Sequence, residues 1–148
     1  MLVSREPDLF RLAVTLNAGA TDAWNVLTAP AGLARWWGGH VTLDTFAGGH
    51  LREQWMEGDR TVTTVGRIVV CEPPHVIAFT WADDDWIAVT GVSWQLVNVA
   101  EAPSPRCELH LEHRGWLALP DDRRESLMQA HIDGWSTHLS RLAAVLNG

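Results

Sequence analysis

The sequence predicts an α+β fold. A curved antiparallel sheet of about six to seven strands wraps around one long C-terminal helix, and two short helices follow the first strand. Three observations lead there. Between residues 40 and 114, short runs alternate apolar with polar residues and are separated by turn residues, as consecutive antiparallel strands do. After residue 121 the apolar spacing changes from two to three or four, which is the period of an amphipathic helix. A sheet and a helix that each have one apolar face bury both faces by packing together.

Taken in order, DLFRLAVTL (8–16) puts Phe10, Leu12, Val14 and Leu16 on one face of a strand. In NAGATDAWNVLTAPAGLARWW, Thr21 or Asp22 caps a short helix that reaches Leu27. Pro30 stops that helix, AGLARWW forms a second short helical piece, and Gly38 and Gly39 break the chain. HVTLD and HLREQWME are strands joined by the turn-rich TFAGG. RTVTTVGRIVVCE runs to the stiff stop PP, HVIAFTW ends at the acidic turn ADDD, and WIAVTGVSWQLVNV and RCELHLEHR flank the loop AEAPSP. Beyond LALPDD, with Asp121 or Asp122 as N-cap, the stripe Leu127, His131 or Ile132, Trp135, Leu139, Leu142 and Leu146 marks the long helix. Residues 122–146 span roughly 37 Å at 1.5 Å per residue. No linker or repeat interrupts the chain, so residues 1–148 are expected to form a single domain.

Bulk properties narrow the function. The net charge of −7, with 11 basic residues against 18 acidic ones, excludes a general nucleic-acid binder, which needs a basic face. All the basic residues are arginines. Cys71 and Cys107 are too far apart in the chain for a CxxC pair or a disulfide framework, and two free thiols suit a reducing compartment. The first residues, MLVSREPDLFRL, lack the apolar core of a signal peptide, and no apolar run approaches the ~18 residues of a membrane span. The expectation is a cytoplasmic protein with no membrane contact.

The aromatic residues are the unusual feature: nine tryptophans, three phenylalanines and no tyrosine. Either the indoles fill an ordinary core or some of them line a space that holds something. Trp36 and Trp37 in ARWWGG point about 100° apart on a helix, so one is expected in the core and the other at a cavity rim or on the surface. Gly134 in HIDGW costs a helix interior up to about 1 kcal/mol, and close approach of a strand or an aromatic group is the expected compensation. Trp135 beside it lies on the apolar stripe, while His131 and His138 share a helix face and either line the cavity or flank the stripe.

Alternation puts Cys107, Leu109, Leu111 and His113 on an inward face, with His113 near the mouth of the fold as a structural histidine or a ligand anchor. It also groups Leu51, Glu53 and Trp55. An inward Glu53 must be paired, hydrogen-bonded or protonated, and Arg67 on the next strand is a candidate partner. Trp81, Trp94 and Trp116 complete the candidate walls. HExxH, CxxC, GxSxG, P-loop and dinucleotide motifs are all absent, so no metal, nucleophile or cofactor is expected.

The stretches TDAWNVLTAPAGLARWWGG, GGHLREQW, GRIVVCEPPHVIAFTW, LEHRGW and HIDGWSTHLSRLAAVL occur in an order that resembles the START-like (SRPBCC) helix-grip superfamily, which includes the major birch-pollen allergen and the polyketide cyclases. They are most similar to the branch of activator of heat-shock-protein-90 ATPase homologues. That resemblance implies the helix-grip fold over nearly the whole chain. It leaves function open, because the superfamily holds carriers, cyclases, sensors and cochaperone domains.

The first expectation is noncatalytic binding of a small apolar or aromatic molecule between sheet and helix. Glu53, His113 and His131 would be polar anchors, and the indole N–H groups would be donors. Two alternatives stand beside it. One is a metal-free cyclase or hydratase using Glu53 or His113 as acid or base. The other is a protein-interaction module, a homodimer or a chaperone contact, which needs an exposed tryptophan-bearing patch.

Overall fold

A computed structural model describes residues 1–147. The strands are β1 (Leu2–Arg5), β2 (Leu9–Leu16), β3 (Val41–Leu43), β4 (His50–Glu57), β5 (Arg60–Glu72), β6 (Val76–Asp83), β7 (Thr90–Ala100) and β8 (Arg106–Arg114). The helices are α1 (Ala20–Thr28), α2 (Pro30–Trp36) and α3 (Asp121–Asn147), with a single 3-10 turn at Trp116–Ala118.

One curved, open sheet holds all eight strands in the order β1-β2-β8-β7-β6-β5-β4-β3, every neighbouring pair antiparallel. Strands β3 to β8 form a meander. After β2 the helices α1 and α2 carry the chain to the far edge, and β8 returns to pair with β2 from Leu9↔Arg114 to Leu16↔Cys107. Register shifts in β5 (Ile68/Val70) and β7 (Asn98/Ala100) interrupt the ladders, as bulges in bent strands do. The long helix α3 buries Met128, Ile132, Trp135, Leu139 and Leu142, and this face joins Phe10, Leu12, Trp94, Leu109 and Leu111 of the sheet in one core. This is the helix-grip arrangement.

The differences from the sequence reading are local. The edge strand β1 adds to the six or seven expected; Leu2 and Val3 are both exposed, so it carries no alternating burial signal. Neither Thr21 nor Asp22 caps α1. Its N-cap is Gly19, and the side-chain oxygen of Asn98 on β7 accepts from the Ala20 amide at 2.9 Å. Pro30 opens α2 as its first residue rather than merely closing α1, because proline lacks only an N–H that a helix start leaves unpaired. On α3, Met128 is fully buried while Leu127 and Leu146 are only half-buried. Among the described residues no helix is long and apolar enough to cross a membrane.

Candidate functional site

A cavity of about 370 Å³ opens between strands β4–β6 and helix α3. Trp37, Trp55, Trp81 and Trp135 form its walls, and Glu53, Asp83, His131 and His138 are its inner polar groups. Glu57, Arg60 and Arg123 stand on its solvent side. Such a volume is in the range of small-molecule sites.

Sheet register explains the polar row. Glu53 pairs with Thr64, and Thr64 pairs with Asp83, so the three side chains lie abreast on one face across β4, β5 and β6. The Thr64 hydroxyl donates to Asp83 Oδ1 at 2.6 Å and accepts from Trp55 Nε1 at 3.2 Å. Asp83 is 9 % exposed. Burial pushes its carboxyl above the usual carboxylate range, the negative neighbours Asp85, Asp84 and Glu53 push it the same way, and the Thr64 bond opposes them. Glu53 Oε2 accepts from Trp37 Nε1 at 3.1 Å and meets His40 Nε2 at 2.7 Å. Gly38, at φ +152°, makes room for this: a Cβ there would lie 2.5 Å from the His40 ring.

The opposite wall belongs to α3. Trp81 Nε1 donates to His131 Nε2 at 3.0 Å, so His131 carries its proton on Nδ1, which donates to the Leu127 carbonyl at 2.8 Å. Burial lowers His131 to about 4, against a small opposing effect of that carbonyl, and it lowers His138 to about 4 with help from Arg141 and His40. Trp135 Nε1 donates to His113 Nδ1 at 3.1 Å. His113 Nε2 then donates to Thr90 Oγ1 at 2.7 Å, and Thr90 donates to the Trp81 carbonyl at 2.8 Å. Gly134 also faces the cavity, and a Cβ built on it meets nothing within 4 Å.

The family model described as activator of Hsp90 ATPase homolog 1-like protein matches residues 17–147. The chain belongs to this family. No curated protein matches it. A structural-genomics protein of Rhodobacter sphaeroides shares the fold with a TM-score of 0.77 at 23% identity, over 99% of this chain and 97% of its own. The Aha1 dimer of Colwellia psychrerythraea gives 0.73 at 18% identity, over 93% and 95%. An HSP90 activator of Plasmodium falciparum gives 0.73 at 18% identity, over 95% and 96%. These likenesses carry the fold.

In this family member the cavity brings together Trp37, Glu53, Trp55, Trp81, His131, Gly134, Trp135 and His138 of the residues singled out in the sequence. Trp36, Trp94, His113 and Trp116 are fully buried and stand outside the lining. The ARWWGG pair divides as its geometry requires. Trp36 turns back to donate to the Val26 and Leu27 carbonyls at the end of α1, while Trp37 faces the cavity. Trp94 packs edge-on against Trp36 and Phe79, and Trp116 stacks on Phe10 and donates to the His113 carbonyl.

Four expectations are corrected. His113 is not at the mouth: it is fully buried, and both ring nitrogens are taken by Trp135 and Thr90. Glu53 is held by Trp37 and His40 rather than by Arg67, which lies opposite His50. The space beside Gly134 is open rather than filled by a strand or an aromatic ring. The wall indoles do not offer their N–H groups to a ligand, because all four already donate to Glu53, Thr64, His131 and His113. The sequence reading also passed over Asp83 inside the acidic turn ADDD; its spacing of two from Trp81 was the available signal.

Proposed function

We propose that the chain binds a small, mainly apolar molecule with an aromatic body in the cavity between sheet and α3, without catalysing its conversion. The observation that carries this reading is a cavity of about 370 Å³ walled by four tryptophans and left open at Gly134. Flat indole faces favour flat ligands, and a glycine that costs helix stability without a packing return fits a site that keeps a space open.

A cyclase or hydratase that uses Glu53 or His113 needs the two groups within reach of one substrate atom, and His113 lies outside the lining with both nitrogens engaged. The protein-interaction alternative required exposed tryptophan. Seven of the nine are buried and the other two, Trp55 and Trp86, are half-buried. The free cysteines Cys71 and Cys107 accord with a reducing, cytoplasmic compartment. A homodimer remains compatible with this reading, since the Colwellia relative is a dimer.

The test is a titration of the purified protein with small aromatic and fatty acids, alcohols and amines, followed by intrinsic tryptophan fluorescence. Saturable quenching at micromolar ligand, lost in Trp55→Ala, is the expected result. No response across the panel, with an unchanged thermal midpoint, would overturn the reading.

A further inference from the structure

What the inner cavity has left to offer a ligand is chiefly acceptors and aromatic faces, with the imidazole of His138, whose Nδ1 is buried without a partner, as the one neutral group that can either donate or accept. The four wall indoles donate to protein groups, and the Nδ1–H of His131 donates to Leu127. Two carboxylates remain partly unengaged. Both bonds to Glu53 fall on Oε2, which leaves Oε1, and the bond to Asp83 falls on Oδ1, which leaves Oδ2. Among the described residues Asp83 has no cationic neighbour; the charges that act on it are Asp85, Asp84 and Glu53. The three histidines of this region are held neutral near pH 7 by burial and bring no positive charge. At the solvent side Arg60 and Arg123 are matched by Glu57, Asp84 and Asp85.

A buried carboxylate without a counter-ion is costly, and an indole face attracts a cation. We infer that the ligand is an organic cation: a protonated amine or quaternary ammonium whose charged group sits between Glu53 and Asp83 and whose apolar body lies against Trp37, Trp55, Trp81 and Trp135. Glu53 and Asp83 are two strands apart, roughly 10 Å between backbones, with Thr64 between them. A cation there supplies the charge that Asp83 lacks. An anionic ligand there meets two carboxylates and no free indole donor; the neutral imidazole of His138 brings no charge to offset them, and Arg60 and Arg123 at the solvent side are already matched by carboxylates. This inference deepens the ligand-binding reading and rests on it.

The experiment is calorimetric titration with three probes of one shape and different charge: 2-phenylethylamine, 2-phenylethanol and phenylacetate. The amine is expected to bind at least tenfold more tightly than the alcohol, and phenylacetate most weakly. Asp83→Asn keeps the side chain's shape and removes a buried charge, so it is expected to fold, as checked by circular dichroism. It should weaken the amine tenfold or more while leaving the alcohol within twofold. If the alcohol or phenylacetate matches the amine, or Asp83→Asn weakens all three equally, the cation assignment falls and the cavity reading stands. If none of the three binds and the fluorescence panel is also silent, both fall.

Discussion

Gly134 shows how one residue can set the capacity of the site. Its position in the middle of α3 costs about 1 kcal/mol relative to alanine, and no neighbour occupies the space above it. Gly134→Ala is therefore expected to raise the thermal midpoint by about 2–4 °C, since about 1 kcal/mol shifts a chain of this size by that much. The added methyl enters the cavity, so ligand affinity should drop in the same variant. A stabilised variant with unchanged affinity would separate the glycine from the site. At this scale the sequence was only partly informative. Alternation assigns His113 to an inward face and groups Glu53 with Leu51 and Trp55 without deciding whether that face is inward; it carries no information on depth, so it points His113 to the mouth when the residue belongs to the core. Partners across strands depend on register, which is why Arg67 was named where His40 and Trp37 serve.

At the scale of elements, the sequence was most legible where periods were long and clean. Strands β4, β5 and β8 were expected at the residues they occupy, because period-two alternation with one buried face leaves little freedom. Helix starts were less legible. The residue that satisfies the first turn of α1 is Asn98, 78 positions from Ala20, and no local pattern points to it. Asn98→Ala removes that acceptor and is expected to cost about 1 kcal/mol, as loss of a helix N-cap does. Urea unfolding checks it: the midpoint should fall with the slope unchanged, whereas an unchanged midpoint would mean that water replaces the side chain without loss.

The whole molecule carries a pH signature. His131 and His138 are held at about 4, and His113 lies well below its ordinary value, in each case chiefly through burial. The unfolded chain takes up protons at these positions below about pH 6.5, and the folded chain refuses them. Their contribution is therefore complete above about 6.5 and is lost as pH falls toward 4, by about 1.4 kcal/mol per pH unit for each histidine. Asp83 acts with the opposite sign. Its raised pKa lets the folded chain keep a proton that the unfolded one releases above 3.8, so its contribution is present at low pH and lost as pH rises. With three histidines against one carboxyl, the thermal midpoint should decline between pH 6.5 and 4.5. His131→Gln combined with His138→Gln should flatten the decline; a flat profile in the parent protein would contradict the assignment.

The aromatic core has an optical consequence. Trp36, Trp37, Trp81, Trp94 and Trp135 form an unbroken chain of ring contacts with centroids 5.1 to 6.0 Å apart. At that spacing excitation migrates between rings far faster than it is emitted. Light absorbed by any of them emerges from whichever ring has the lowest excited state, and its polarisation is scrambled on the way. A guest that touches Trp37 alone darkens rings it never meets. The protein's centre is thus a single antenna, and its emission reports occupancy as a whole rather than ring by ring.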